Sequence, residues 1–234
     1  FYNDWSDLQV VTKEGTGGVG EVIGNAGSAH SLGFELEGQF DVGGGFTLAA
    51  NTTILDTQLN DVIASGTGFP KHPHRDMEII TYVREGAITH EDNLGNKGRT
   101  EAGDVQVMSA GTGIAHSEYN LEATETRIFQ IWIIPNEAGS APSWGAKPFP
   151  KGQREGFVTL ASGKAGDDES LRIRADARLV AANLKAGETA EYRLDGGRRA
   201  YLVPATGRIE VNGLQAQARD GVAIADEQVL RVTA

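Results

Sequence analysis

The chain has 234 residues, enough for one large or two modest domains, and its 39% hydrophobic content allows a packed core. It contains no cysteine, which excludes disulfides, thiolate zinc sites and cysteine nucleophiles, so any metal must be held by nitrogen and oxygen donors. A formal charge of -11 argues against direct nucleic-acid binding through phosphate neutralisation, and no apolar run reaches the length of a membrane-spanning helix.

Glycine is abundant, at 31 residues, and short alternating runs are separated by Gly, Asn and Asp turns. That pattern predicts an all-β protein without long amphipathic helices. The opening residues are not expected to be a leader peptide. Phe1 stands where an initiating methionine would, which points to numbering that begins inside a longer or processed polypeptide; a cytoplasmic location away from membranes is expected.

The first 59 residues read apart from the rest. From Gly33, Phe34, Leu36, Phe40 and Val42 alternate with Glu35, Glu37, Gln39 and Asp41, and after Gly43-Gly44-Gly45 a second run places Phe46, Leu48, Ala50, Thr52 and Ile54 in phase. The expectation is a two-stranded hairpin. Phe1 to Val10, Asn25-Ala26-Gly27 and Gly33 to Glu37 resemble strands from the barrel of a TonB-dependent outer-membrane receptor. Two or three strands cannot close such a barrel, so residues 1–59 are expected to be a segment of separate origin or to contribute strands to the domain that follows.

The next stretch, Phe69 to Asn120, organises the chain. Side chains two residues apart on a strand share a face, so His72 and His74 project together, as do His116 and Glu118. Two such strands side by side would bring three imidazoles and one carboxylate to one point, the donor set of a non-haem transition-metal centre. Three of the five histidines fall here at this spacing. His90, beside the turn-prone Asn93-Leu94-Gly95-Asn96, reads as an exposed hairpin residue, and His30 lies outside the cluster. Glu78 keeps even spacing from His74 and is expected beside the metal, orienting a ligand. Ser109 to Gly113 is a glycine-rich turn without the Lys and helix of a phosphate loop.

Asp61 to Phe69, His72 to Ile79, Met108 to Asn120, Phe129 to Pro135 and Ala223 to Glu227 together resemble the pirin family of the cupin superfamily. The likeness covers residues 60–234. It implies two tandem cupin (jelly-roll) β-barrels, a metal-binding one over residues 60–150 and a degenerate one over 151–234. No histidine follows His116, in agreement with a metal-free second half. Pro135 to Pro150 holds four of the seven prolines and reads as an extended linker.

Carried over residue by residue, the family's ligands fall on His72, His74, His116 and Glu118. The resemblance implies one divalent metal, Fe(II) first, with Zn, Ni, Cu or Mn as alternatives. The implied activity is that of a quercetinase-type dioxygenase opening a flavonol with O2, with Glu118 accepting the flavonol proton. The alternative it implies is an iron-containing, redox-responsive regulatory protein that binds a protein partner.

Overall fold

The computed structural model describes residues 62–149 and 156–234 throughout and, before residue 62, the backbone of strands only. The chain divides into two compact units, Phe1–Val62 and Ile63–Ala234. No helix occurs among the described residues, so none is long and apolar enough to cross a membrane.

In the first unit, β1 (Tyr2–Ser6), β2 (Ser28–Asp41) and β3 (Thr47–Gln58) form an antiparallel sheet in the order β1-β2-β3. The alternating runs of the sequence are β2 and β3, paired from His30 with Gln58 to Asp41 with Thr47. The Gly43–Gly45 turn, the stretches around Val10 and Asn25–Gly27, and the His30 side chain lie outside the described residues.

Next along the chain come β4 (Asn60–Ile63), β5 (Gly68–His74), β6 (Glu78–Glu85), β7 (Ala87–Asp92), β8 (Lys97–Glu101), β9 (Val105–Ser109), β10 (Ile114–Tyr119), β11 (Thr126–Ile133) and β12 (Ser143–Lys147). They make two sheets, ordered β5-β10-β7-β8 and β12-β9-β6-β11-β4. Strands β13 (Val158–Ser162), β14 (Leu171–Arg172), β15 (Arg178–Ala181), β16 (Thr189–Arg193), β17 (Ala200–Leu202), β18 (Arg208–Val211), β19 (Leu214–Gln217), β20 (Val222–Ile224) and β21 (Val229–Thr233) build the second half, in sheets β14-β13-β15, β16-β21-β18-β19 and β17-β20. The protein is all-β, two cupin barrels in tandem. Strands β18 and β19 meet at Val211 and Leu214 around Asn212-Gly213, both at positive φ, the two-residue turn that matches strand twist.

Buried faces follow the period-two pattern: in β10, Ile114, His116 and Glu118 are buried while Ala115, Ser117 and Tyr119 are half-buried. One core joins the halves, with Ile80, Val105, Val107 and Phe149 packed against Leu160, Ala161, Ile173 and Ala175. A second core, Val211, Val222, Ile224, Leu230 and Val232, belongs to the second half alone. The proline-rich segment departs from the linker expectation, because β12 lies within it and pairs with β9 from Ser143–Ser109 to Lys147–Val105. Its prolines flank that strand instead of interrupting it, so every residue of β12 keeps a backbone N–H.

Candidate metal centre

Strands β5 and β10 run antiparallel with His116 opposite His72 and Ile114 opposite His74. Alternation turns the exposed Pro73 away and brings His72, His74 and His116 to one side. Their ring centroids are 4.7 Å (His72–His74), 4.5 Å (His72–His116) and 5.0 Å (His74–His116) apart. One ring nitrogen from each lies within 4.8 Å of the others, a spacing that could hold a metal ion.

The hydrogen bonds of two rings leave a nitrogen free. His72 Nδ1–H donates to the Pro70 carbonyl at 2.7 Å, so Nε2 keeps its lone pair. His116 is buried, its Nδ1 lies 3.3 Å from His90 Nδ1, and its buried Nε2 has no hydrogen-bond partner. Burial, then the neighbouring His72, lowers the pKa of His74 to about 4; burial and then His72, His74 and His90 lower that of His116 to about 2, against the opposing pull of Asp92. Both rings are therefore neutral near pH 7, the state in which imidazole binds metals. These residues fit a metal site: three imidazoles converge, and one presents a buried, unpaired lone pair.

Glu118 follows His116 at period two, but a register shift falls between them, with Glu118 opposite Phe69 on β5. It is buried, and its oxygens accept from Gln130 Nε2 at 2.8 Å, from Gln106 Nε2, and from Thr81 Oγ1 at 3.4 Å. Both amides are oriented by a second donor: Thr100 Oγ1 donates to Gln106 Oε1 and Trp132 Nε1 to Gln130 Oε1, each at 3.0 Å. Burial raises the Glu118 pKa to about 7, opposed by the bonds from Gln130, Thr81 and Gln106. Glu118 groups within 4.8 Å with His116 and His90, while the triple-histidine group contains only His72, His74 and His116. The four expected donors thus form two clusters that meet at His116.

Two expectations are corrected. His90 is not an exposed hairpin residue: it is 0% accessible, opposite Glu118 on the facing strand, and its ring stacks on Trp144 at 4.7 Å and 10°. The turn itself is where the sequence placed it, but His90 lies before it on the inward face of β7, in phase with Asp92. His-x-Asp at positions 90 and 92 repeats the period of His72-x-His74 and His116-x-Glu118, and that spacing was the available signal. Glu78 belongs to neither cluster. It accepts from Ser109 Oγ at 2.7 Å and from the Arg174 backbone N–H at 3.1 Å, tying β6 and β9 to the second half of the chain. Its even spacing from His74 does not keep it on that face, because Arg75-Asp76-Met77 interrupts the strand and Asp76 adopts positive φ.

A cleft of about 420 Å³ opens beside the triad, lined by Pro73, His74, Arg75, Asn93, Ile114 and Ala115 together with Gly113. That is the size of an ordinary small-ligand pocket.

Comparison with known proteins agrees with this architecture. The Pirin family model matches residues 33–133, and the quercetinase C-terminal cupin domain matches residues 159–234. The pirin-like protein of Caulobacter vibrioides is 67% identical over 176 residues, covering 75% of this chain and 76% of that protein. The quercetin 2,3-dioxygenase of Escherichia coli is 41% identical over 176 residues, covering 75% of each. The crystal structure of the Escherichia coli bacterial pirin YhhW in complex with nickel(II) superposes with a TM-score of 0.69 at 35% identity, over 89% of this chain and 88% of that one. The outer-membrane-receptor resemblance of residues 1–59 finds no support, and the Pirin match instead begins inside that stretch, at residue 33. Alternating strands with glycine turns suit any antiparallel sheet, so the pattern alone did not discriminate between barrels.

Proposed function

The chain belongs to the pirin family, and from that membership we propose that it is a metal-dependent dioxygenase of the quercetinase type, opening the central ring of a flavonol with O2. His72, His74 and His116 hold one divalent transition metal, with Glu118 as the fourth donor, in the barrel of residues 60–150. Residues 151–234 form the partner barrel, which carries no histidine. The observation that supports this most directly is His116 Nε2, buried and unpaired where its ring meets those of His72 and His74. Burying a polar nitrogen without a partner is unfavourable, and a metal taking its lone pair removes the deficit.

A divalent metal bound there would lower the pKa of a ligated hydroxyl and hold flavonol and O2 in one cavity. Glu118 accepts the flavonol hydroxyl proton, being the single carboxylate among the four donors, and the amides of Gln106 and Gln130 keep it in place. The cleft beside His74 receives the planar substrate. Fe(II) is the metal we assign, with Ni(II), Zn(II), Cu(II) and Mn(II) as competitors for the same nitrogen and oxygen donors; nickel in the Escherichia coli relative supports a divalent-metal site. The names of the relatives favour ring opening over the partner-binding alternative.

Protein reloaded with Fe(II) or Ni(II) is expected to consume quercetin under air and release carbon monoxide. Replacing His116 by Ala should weaken metal binding at least ~100-fold, since about 10–16 kcal/mol for a four-donor zinc site implies about 3 kcal/mol per donor. Loaded protein that shows neither flavonol loss nor carbon monoxide overturns the reading.

A further inference from the structure

Behind the three histidines runs a buried chain of polar atoms that ring opening by itself does not require. Asp92 Oδ2 lies 3.1 Å from His90 Nε2, and His90 Nδ1 lies 3.3 Å from His116 Nδ1. All three side chains are buried. Asp92 also accepts the backbone N–H groups of Leu94 (2.9 Å) and Asn96 (3.0 Å) on Oδ1, and the Asn96 amide (2.8 Å) on Oδ2. With three N–H donors directed at it, Asp92 acts as an acceptor-only carboxylate.

The proton positions then follow in sequence. An acceptor-only Asp92 requires the proton of His90 on Nε2, which leaves His90 Nδ1 a bare acceptor. A bare acceptor at 3.3 Å requires the proton of His116 on Nδ1, and that leaves His116 Nε2 bare, the same atom that is buried without a partner. We propose that Asp92 and His90 are positioning residues that hold His116 in the Nδ1–H tautomer, with its Nε2 lone pair preset to bind the metal. The register supports this, since β7 sets Asp92 opposite His116 and His90 opposite Glu118. Trp144 clamps the His90 ring from β12, and Gly98, opposite His90 on β8, leaves room for the indole; a Cβ there would lie 2.3 Å from Trp144 Cη2. A partner that fixes a ligating histidine's tautomer changes metal affinity by about 10–100-fold.

The inference rests on His116 being a ligand, and the test separates the two. Nitrogen-15 NMR of histidine-labelled, metal-free protein reads which ring nitrogen carries each proton, and chelator competition reads the affinity for zinc(II). Wild type is expected to show His116 bare at Nε2 and His90 bare at Nδ1. Asp92→Asn must keep its oxygen toward Leu94 and Asn96, so its amide faces His90 Nε2 and should reverse both tautomers. The zinc affinity should then fall about 10–100-fold. His90→Phe keeps the flat ring on Trp144 but removes the acceptor; it should lower zinc affinity likewise, and it carries the test if the Asn protein does not fold. A wild-type His116 already protonated on Nε2 overturns the inference alone, as does a folded variant of either kind whose zinc affinity stays within about twofold of wild type. Wild type that binds no zinc removes the metal-site reading, and this inference with it.

Discussion

Substituting Gly111 by Ala tests how the turn before β10 presents His116 to its partners. Gly111 sits at φ +47°, and a Cβ there would lie 2.0 Å from the Ser140 carbonyl oxygen and 2.8 Å from its carbon. Real contacts stay beyond 3.0 Å, so one backbone segment must move by about 1 Å. Ser140 O already accepts the Thr112 N–H at 2.8 Å, and Gly111 O accepts the Asp76 N–H at 2.9 Å two residues beyond His74. The left-handed backbone costs an alanine about 1 kcal/mol. Forced overpacking adds about 1–3 kcal/mol, and a weakened hydrogen bond about 1 kcal/mol. The expected loss is about 3–5 kcal/mol out of a typical total of about 5–15 kcal/mol.

The control is Gly66→Ala, at φ +72° with nothing within 4 Å of the new Cβ, where only the backbone penalty of about 1 kcal/mol applies. Urea unfolding of both variants reads the difference as a shift in midpoint at constant slope. Losses for the two alanines equal to within about 0.5 kcal/mol would refute the steric argument and place the whole penalty in the backbone angle.

Other outcomes follow from the same contacts. Replacing Glu78 by Ala leaves the Ser109 hydroxyl and the Arg174 N–H without their acceptor, so stability should fall by about 1–3 kcal/mol. Zinc affinity should not change; a tenfold loss would return Glu78 to the metal. Asp167 accepts Arg178 Nε at 2.6 Å and Nη2 at 3.0 Å, and the Arg178 bond, followed by that from Ser162, lowers its pKa below the ordinary 3.8. A carboxyl depressed in the folded state contributes stability that is fully present above 3.8 and lost as pH falls through the folded value. Melting temperatures of wild type and Asp167→Asn should therefore differ at pH 7 and converge in strong acid; a gap that persists there contradicts the pairing.

How much could be read in advance differs from residue to residue. The candidate donors were legible because strand geometry has a period of two: His72-x-His74 and His116-x-Glu118 each show a shared face without knowledge of the fold. The absence of cysteine restricted the donors to nitrogen and oxygen, and glycine-punctuated alternation implied an all-β chain. The same period was available for His90-x-Asp92 but was outweighed by the turn that follows, since turn chemistry identifies the end of a strand and not the face its last residues present. Glu78 failed for the opposite reason, because even spacing was carried across a break in the strand.

What only the tertiary structure decided is which strands became neighbours. Local sequence determines alternation, but the pairing of β10 with both β5 and β7 is made by long-range backbone hydrogen bonds that no short window contains. That pairing sets His116 between His72 on one side and the Asp92–His90 pair on the other, and the register shift before Glu118 gives its carboxylate to Gln106 and Gln130. Residue types settled which atoms could bind a metal, and strand order settled which of their lone pairs were left bare.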